Sequence, residues 1–354
     1  MDKRASLAQD YEVECVPGLE AFARDELDTC DGTIHHSLKT IRPGFLRFRF
    51  AGDARLLLSL RSALAVYGVH RFEVPRPKAL LGHQHLTRLI EILRAAMRDW
   101  TSQNPRLGIG AAGANSRVIM RLKHELASIL EADLALEDKG ELYLRLVRPV
   151  DRRGWEVLVR LGPRPLSKRD WRVVNIPGAL NATVAYAMTQ IRSQEPQSAV
   201  LNLCCGSGTI LVEHAQSTAS GQLLAVDNSA RMLSAAERNL GASDTKHRIR
   251  LLHADAGRTP LSAGAIDRIY ADLPFGGHVG SHADNLRLYP ALLREAYRIT
   301  KPDAVLIMLT HEVSLLRNCI AQSNWRSISE TKITLSGLHP RLFVLKRKST
   351  TIYR

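Results

Sequence analysis

From residue 181 onward, short apolar segments alternate with amphipathic ones, and this alternation constrains the fold more than any other feature of the chain. The first pair is SAVLNLC followed by TILVEHAQ, and the pattern continues to AVLIMLTH at residues 304–311. Apolar runs of this length are typical of buried strands, and the segments between them have helical periodicity. A regular β-α-β alternation predicts an α/β fold with a doubly wound parallel sheet. Two more strand-like segments, WRSISETKITLSG and RLFVLKRK, predict an antiparallel pair at one edge.

The first half of the chain has no such alternation and predicts an α+β arrangement in two parts, residues 1–75 and 76–165. In the first part, residues 54–68 (ARLLLSLRSALAVYG) are interpreted as an amphipathic helix ending at glycine. In the second part, helices are expected from about His85 to Trp100 and in RVIMRLKHELASILEA, with a loop at residues 105–116. Two strands are expected in GELYLRLVRP and GWEVLVRLG.

Residues 166–180 are rich in proline and basic side chains and are interpreted as a linker to a domain at residues 181–354. Four basic residues in and beside this segment are candidates for phosphate contacts, although a solvated linker explains them equally well: Arg164, Lys168, Arg169 and Arg172.

Basic residues outnumber acidic ones, 49 to 35, which gives a net charge of +14. This excess favours a polyanionic partner, such as RNA, DNA or an anionic membrane surface, over an inert basic surface. The five cysteines form no CxxC pair, which argues against a zinc site. The charged N-terminus does not resemble a signal peptide, and the most apolar stretch, residues 56–69, is too short to span a bilayer. We therefore expect a cytoplasmic protein with reduced thiols and no membrane contact.

A glycine-containing turn joins the first strand of the alternation to its helix, in LNLCCGSGTIL. Gly206 and Gly208 allow a close backbone approach to a ligand, and the helix that follows offers free N–H groups. Asp227 ends the next strand, where a carboxylate can bind ribose hydroxyls, and Asp255 ends the third. Position 211, where a dinucleotide-binding fingerprint has its third glycine, is a leucine, and no Walker sequence occurs.

A second motif, Asp272-Leu273-Pro274-Phe275, follows the fourth strand and is expected at the same edge of the sheet. The Asp272 carboxylate and the Leu273 carbonyl can accept the two N–H groups of an exocyclic base amine and direct its lone pair at a methyl donor. Pro274 fixes the turn, and Phe275 offers a ring for a flipped base. A helix cap or turn is the structural alternative for Asp272. Cys204 and Cys205 are expected to pack the first turn, because the Pro-Cys pair of cysteine-dependent base methylation is absent.

Together, NLCCGSGTILVE and ADLPFGG resemble the THUMP-containing RNA guanine-N2 methyltransferases, which are class I enzymes dependent on S-adenosylmethionine. The resemblance extends to YEVECVPGLEAFARDEL, which is similar to the family's ferredoxin-like segment, and to SRVIMRLKHELA, which is similar to its THUMP module. It also includes LSKRDWRVVNIPGALNATVAYAM, which resembles the lead-in to the catalytic domain. The resemblance thus implies a Rossmann-like methyltransferase domain preceded by ferredoxin-like and THUMP parts that grip tRNA.

By this resemblance, Asp227 is the ribose acid, Asp255 the adenine-side acid, and Asp272 to Phe275 the target-amine motif. The methionine-binding loop corresponds to Asn202, Cys205, Gly206, Ser207, Gly208 and Thr209. The chain departs from the family pattern at two positions. Asn202 stands where the family usually has aspartate, and Leu273-Pro274 replaces the usual Pro-Pro pair.

The resemblance implies S-adenosylmethionine as cofactor, no metal, and tRNA as partner, and a monomer is expected. The amine motif by itself does not name the base. A ribosomal-RNA guanine-N2 or an adenine-N6 methyltransferase is therefore the alternative, and a non-enzymatic RNA-binding protein is a third hypothesis.

Overall fold

A computed structural model of the chain describes most of its residues and divides them into two compact units. One unit comprises residues 1–15 and 20–167, and the other comprises residues 16–19 and 168–354. The described ranges are residues 8–30, 34–101, 104–135, 140–149, 153–191, 198–218, 221–274, 281–335 and 337–348.

The first unit is built on one eight-stranded sheet with the strand order β2-β3-β1-β4-β8-β7-β5-β6. Its strands are β1 (Gln9–Cys15), β2 (Ile34–Arg42), β3 (Phe45–Phe50), β4 (Ala63–Phe72), β5 (Arg106–Ala111), β6 (Asp133–Leu134), β7 (Leu142–Val147) and β8 (Trp155–Arg160). Its helices are α1 (Glu20–Asp28), α2 (His83–Trp100) and α3 (Arg117–Leu130).

Opposite faces of this sheet have different chemistry, because successive side chains of a strand alternate in direction. On β1, Tyr11 and Val13 belong to an apolar core that also includes residues of α1. The intervening Glu12 is fully buried, and its carboxylate pairs with Arg47, which also pairs with Glu156. Arg47 thus lies in a largely buried network of charges.

The helix predicted at residues 54–68 is wrong. Residues Ala54–Ser59 form a 3₁₀ turn, and the apolar run that follows belongs to β4. This strand is central, because it pairs antiparallel with β1 on one side and with β8 on the other. A strand packed on both faces lacks the polar alternation that distinguishes a strand from a buried helix.

The loop predicted at residues 105–116 is wrong in its first half, where β5 pairs in parallel with β7. Glycines at positions 108 and 110 lower the strand propensity of this segment. A Cβ atom at Gly110 would lie 2.3 Å from the hydroxyl of Tyr143, so the glycine makes room for a cross-strand side chain. Strand β2 was not predicted either, whereas α2, α3, β7 and β8 lie where the sequence indicated.

Residues of both predicted N-terminal parts share this one sheet, since β4 joins directly to β8. The division into ferredoxin-like and THUMP parts at residue 75 stays a prediction. Lys168 and the residues after it, which were interpreted as linker, belong to the second unit.

The second unit contains a seven-stranded sheet with the order β11-β10-β9-β12-β13-β15-β14. Its strands are β9 (Val200–Leu203), β10 (Leu223–Asp227), β11 (Ile249–His253), β12 (Ile266–Asp272), β13 (Thr300–Thr310), β14 (Trp325–Lys332) and β15 (Arg341–Arg347). Its helices are α4 (Ala182–Gln190), α5 (Thr209–Ser217), α6 (Ala230–Ala242), α7 (His282–Ile299) and α8 (Val313–Ala321).

The first five strands in the sheet order are parallel, and β15 and β14 complete the sheet as an antiparallel pair. This confirms the predicted doubly wound sheet with an antiparallel edge. The strand order changes direction beside β9, which pairs with β10 on one side and with β12 on the other. Ligands of open α/β sheets bind at the carboxyl ends of strands at such a switch point.

Among the helices that the structure describes, none combines the length and the apolar character needed to cross a membrane.

Candidate active site

A cavity of about 480 Å³ lies within the second unit, where the turns after β9, β10 and β12 come together. Its size falls within the range of small-molecule sites, roughly 300–1,000 Å³. The lining comes from residues 176–180, 204–207, 209–210, 227–229, 232, 255–256, 272–274, 284–285 and 288. The two motifs that the sequence singled out therefore open into one cavity.

The glycine-containing turn adopts the positive φ angles that the sequence predicted. Gly206 has a φ of 51° and Gly208 has a φ of 82°, and Cys204 before them also lies in the left-handed region. A Cβ atom on Gly206 would meet nothing within 4 Å, whereas one on Gly208 would lie 3.3 Å from Cβ of Ala236. Gly206 thus leaves open space beside the turn, and Gly208 allows close packing against α6.

Helix α5 begins at this turn with Gly208 as its N-cap, and no side chain caps it. The first N–H groups of a helix have no partners within the helix, and they carry a partial positive charge. Ser207 and Thr209 line the cavity at the same place. The start of α5 can therefore offer backbone donors to a polar or anionic group.

The two cysteines of the turn are poor nucleophiles in this setting. Burial raises the pKa of the Cys204 thiol to about 12, and nearby carboxylates act in the same direction. Burial likewise raises the pKa of Cys205 well above its ordinary value. Since the thiolate is the reactive form, both side chains act as small packing residues at neutral pH.

Asp227 ends β10 and holds the glycine-containing turn in place. One of its carboxylate oxygens accepts a hydrogen bond from the Gly206 N–H at 2.9 Å, and the other accepts from the Ser229 N–H at 3.0 Å. The side chain is 9% exposed and lines the cavity. Because each carboxylate oxygen has two lone pairs, acceptor capacity remains for a ligand.

Asp255 follows β11 and lines the cavity from an exposed position. Its Oδ1 accepts a hydrogen bond from the Gly257 N–H at 2.6 Å, which forms a tight local turn. The structure thus places both predicted cofactor acids, Asp227 and Asp255, at the same cavity.

Two predicted cofactor residues, Asn202 and Gly208, do not line the cavity. Asn202 is fully buried in β9, and its Nδ2 donates to the carbonyl oxygens of Leu203 at 3.1 Å and Tyr270 at 3.2 Å. These bonds connect β9 to β12 just before their turns. Contact between Asn202 and a methionine group stays a prediction, and what the structure shows is a bridge between the two strands.

The turn after β12 is held by hydrogen bonds to its backbone. The Leu273 N–H donates to the Leu309 carbonyl at 3.0 Å. The Pro274 carbonyl accepts from Asn285 Nδ2 at 2.9 Å and from the Tyr289 hydroxyl at 3.0 Å. Asp272, Leu273 and Pro274 all line the cavity, while Phe275 lies outside the described residues.

The Asp272 carboxylate has different surroundings from the Asp227 carboxylate. Its Oδ1 is buried without a hydrogen-bond partner among the residues that the structure describes. Burial raises the pKa of Asp272 from 3.8 to about 7, because the charged form loses its hydration there. A buried acid with a shifted pKa beside a cavity is typical of functional sites.

Sequence reasoning missed the contribution of α7. Asn285 is fully buried and lines the cavity, and its Nδ2 contacts both Pro274 and Oε1 of Glu312. Tyr289, one helical turn later, contacts the same Pro274 carbonyl. An asparagine four residues before a tyrosine, both on the apolar face of the helix, was the available signal.

Two basic residues of the predicted linker, Arg169 and Arg172, make contacts within the second unit. Arg169 pairs with the fully buried Glu213 at 2.9 Å. Arg172 donates to Thr209 Oγ1 at 2.9 Å and to the Leu180 carbonyl at 2.7 Å. The buried charge of Glu213 is therefore paired with Arg169. These contacts leave the hypothesis of phosphate binding by Arg169 and Arg172 without support.

A comparison with protein families identifies the fold of this unit. Residues 169–341 match the family described as UPF0020: RMKL-like, methyltransferase domain. These residues of the second unit are therefore similar to a methyltransferase domain. The match begins at Arg169, inside the segment that sequence reasoning treated as a linker.

Individual relatives of the chain support the resemblance drawn from the motifs. A tRNA (guanine(6)-N2)-methyltransferase of Methanocaldococcus jannaschii is 24% identical over 95% of this chain and 99% of its own length. The tRNA (guanine(6)-N(2))-methyltransferase THUMP3 of Bos taurus is 28% identical over 48% of this chain. The chain spans about 37% of the length of that bovine relative. These matches confirm the resemblance to the tRNA guanine-N2 methyltransferases.

A solved structure supports the fold over the whole chain. The crystal structure of TrmN from Thermus thermophilus superposes with a TM-score of 0.73 at 24% identity. The superposition covers 96% of this chain and 99% of the other chain.

Proposed function

We propose that the chain transfers a methyl group from S-adenosylmethionine to the exocyclic N2 amine of a guanine in tRNA. One observation carries this proposal: the turn held by Asp227 and the turn carrying Asp272 open into one cavity, where Asp272 keeps a buried oxygen with no partner among the described residues. A donor group on a substrate would satisfy that oxygen.

The residues around the first turn fit the cofactor. S-adenosylmethionine supplies an electrophilic methyl group on a positively charged sulfur. The open side of Gly206 and the uncapped start of α5 would receive its methionine part. Asp227, already fixed by two backbone N–H groups, would accept from the ribose hydroxyls, and Asp255 would lie on the adenine side.

The turn after β12 would hold the amine. An ionised Asp272 can accept one N–H of the amine. The Pro274 carbonyl is already occupied by Asn285 and Tyr289, so the Leu273 carbonyl is the proposed acceptor for the second N–H. The amine nitrogen then gains the methyl carbon as the carbon–sulfur bond breaks. Sulfur is left as a neutral thioether, and the surplus amine proton passes to the Asp272 carboxylate.

Alignment would contribute most of the rate enhancement in this arrangement. The lone pair of an exocyclic amine is delocalised into the base, and two acceptors on its N–H groups favour a pyramidal nitrogen. Positioned reactants of this kind gain roughly 7–11 kcal/mol from orientation and proximity. The hydrogen bonds from α7 to Pro274 fix the turn before the base arrives.

The names of the relatives and the charge of the chain support tRNA as the partner. Both curated relatives described above are named as tRNA methyltransferases acting on guanine 6. The net charge of +14 suits a polyanionic substrate whose binding weakens with added salt. Guanine 6 of tRNA is therefore the first position to examine.

The test is transfer of labelled methyl from S-adenosylmethionine to unmodified bulk tRNA, followed by nucleoside analysis. We expect label in N2-methylguanosine. Label in N6-methyladenosine would replace guanine by adenine as the target base. Absence of label from tRNA, with cofactor binding intact by calorimetry, would contradict the proposal and direct the assay to ribosomal RNA.

A further inference from the structure

The side-chain oxygen of Asn285 takes no part in the hydrogen bonding of the described residues. The residue is fully buried in α7 and lines the cavity, yet its Oδ1 has no hydrogen-bond partner among the described residues. Buried polar side-chain atoms are nearly always paired, and an exception needs an explanation. A ligand donor is one explanation, because the residue borders the cavity.

The orientation of this amide is fixed by its surroundings. Nδ2 donates to the Pro274 carbonyl at 2.9 Å and to Glu312 Oε1 at 2.5 Å. Both partners are acceptors only. If the amide nitrogen and oxygen were exchanged, the amide oxygen would face these two acceptors and neither hydrogen bond could form. Asn285 therefore presents Oδ1, and not Nδ2, as its available group.

Glu312 is itself held in position, which stiffens the arrangement. Its backbone N–H donates to Thr310 Oγ1 at 2.9 Å, and its carboxylate also contacts His282. Thr310 in turn shares a hydrogen bond with the Tyr289 hydroxyl at 2.8 Å. The amide of Asn285 thus belongs to a connected network that includes the Pro274 turn.

Asn285 and Asp272 are linked through this turn. Asp272 precedes Pro274 by two residues, and both Asp272 and Asn285 line the cavity and keep a buried oxygen that has no partner within the described ranges. The site therefore has two acceptors on either side of one short turn, and it calls for a substrate edge with two donors.

Guanine has such an edge. Its N2 amine stands next to N1–H, so its Watson–Crick edge presents neighbouring donors. In adenine, the amine stands next to a bare N1, which is an acceptor. A flipped base is read through hydrogen bonds to this edge, and an acceptor facing an acceptor is rejected.

We propose that Asn285 is a specificity-determining residue whose Oδ1 accepts the N1–H of the target guanine while Asp272 accepts its N2 amine. This inference rests on the proposed function and adds to it the group that selects guanine. Asn285 also positions the Pro274 carbonyl through Nδ2, and the two roles belong to different atoms of one amide.

The test compares two tRNAs that carry guanine or 2-aminopurine at the position the wild-type enzyme methylates. 2-Aminopurine keeps the amine at C2 but has no hydrogen on N1. We expect the full-length wild type to have a higher kcat/KM for the guanine tRNA than for the 2-aminopurine tRNA. In the variant Asn285→Leu, the ratio of these two values should fall by about 10- to 100-fold. The analogue differs from guanine in other ways as well, but those differences cancel when the two enzymes are compared.

The matched control is Tyr289→Phe, which removes the other hydrogen bond to the Pro274 carbonyl and leaves Asn285 in place. It should slow transfer to both tRNAs and leave the preference for guanine unchanged. If Tyr289→Phe reduces the preference as much as Asn285→Leu does, Asn285 acts only by positioning the turn, and the inference is wrong.

If Asn285→Leu no longer binds the cofactor by calorimetry, Asn285→Asp replaces it. That variant keeps an acceptor oxygen and loses the donor to Pro274, so the preference for guanine should survive a lower rate. Loss of the preference would overturn the inference. Failure of the wild type to methylate the guanine tRNA would instead refute the proposed function, whereas equal rates on both tRNAs would refute only the role of Asn285.

Discussion

Two of the aspartates that line the cavity end the strands on either side of β9, and their hydrogen bonding differs. Asp227 receives a backbone N–H on each carboxylate oxygen, from Gly206 and Ser229. Asp272 has a buried Oδ1 with no partner in the described part of the chain, and burial raises its pKa to about 7. One carboxylate shapes a turn, and the other has an oxygen for which the described residues supply no donor.

The difference indicates how one sheet edge can serve two substrates. A nucleotide cofactor needs a fixed surface, and the satisfied acid provides it without rearrangement. An amine needs an acceptor that is free until it binds, and the folded protein tolerates the cost of keeping one buried. Five predictions would break or sharpen this contrast.

The largest effect is expected from Asp272→Ala. Methyl transfer to tRNA should fall by about 100- to 1,000-fold, because the amine loses an aligned acceptor in a buried site. Cofactor affinity measured by calorimetry should change little. Asp303→Asn removes the charge of an exposed carboxylate on β13 and should behave as wild type. Loss of cofactor binding together with activity would make Asp272 a structural residue.

The next largest effect is expected from Asp227→Ala. The turn would lose the acceptor for two backbone N–H groups, and the cofactor would lose its proposed ribose contact. We expect the Kd for S-adenosylmethionine to rise by about 10- to 100-fold, which corresponds to roughly 1.4–2.7 kcal/mol. An unchanged Kd, in a variant that melts like the wild type, would remove Asp227 from the cofactor site.

The pH dependence should follow the ionisation of Asp272. Only the carboxylate can accept the amine proton, so kcat/KM should fall by about tenfold per pH unit below a midpoint near 7. Asp272→Asn keeps one acceptor oxygen and cannot ionise, so its rate should be lower and lack this step. A step that persists in Asp272→Asn would belong to another group.

The stability of the fold gives an independent check on the same ionisation. The pKa of Asp272 is raised on folding, from 3.8 to about 7, so the folded state holds the proton more tightly. This contribution is complete below pH 3.8 and is lost as the pH rises through 7. The wild type should therefore lose about 2–4 kcal/mol of unfolding free energy relative to Asp272→Asn between pH 4 and pH 8.

The smallest effect is expected from alanine at the two glycines of the first turn. Both adopt a positive φ, which costs an alanine roughly 1–2 kcal/mol of stability. Gly208→Ala should cost somewhat more than Gly206→Ala, because its Cβ would also press on Ala236 at 3.3 Å. Thermal unfolding measures this difference. A larger loss for Gly206→Ala would contradict the open space beside it.

The fold could be predicted where the local secondary-structure propensity agreed with the strand pairing of the folded chain. Strands β9, β10, β12 and β13 are apolar runs, each followed by a helix, and this alternation predicted the parallel sheet. In the first unit the same reasoning failed at residues 54–68. Strand β4 is a central strand, paired along both edges, and most of its side chains are buried. It also failed at β5, where Gly110 makes room for the Tyr143 side chain across the strand pair.

The sequence by itself determined the chemistry at the two ends of the site: the glycines with positive φ, the acid after β10, and the Asp272-Leu273-Pro274 turn after β12. These features are local, because backbone conformation and strand ends depend mainly on neighbouring residues. Only the tertiary structure decided which of these groups are satisfied. Asn285 lies 13 residues beyond Asp272 in a helix, and packing of α7 against the Pro274 turn brings its amide to the cavity. The unpartnered oxygens of Asp272 and Asn285 result from that packing, and no local pattern encodes them.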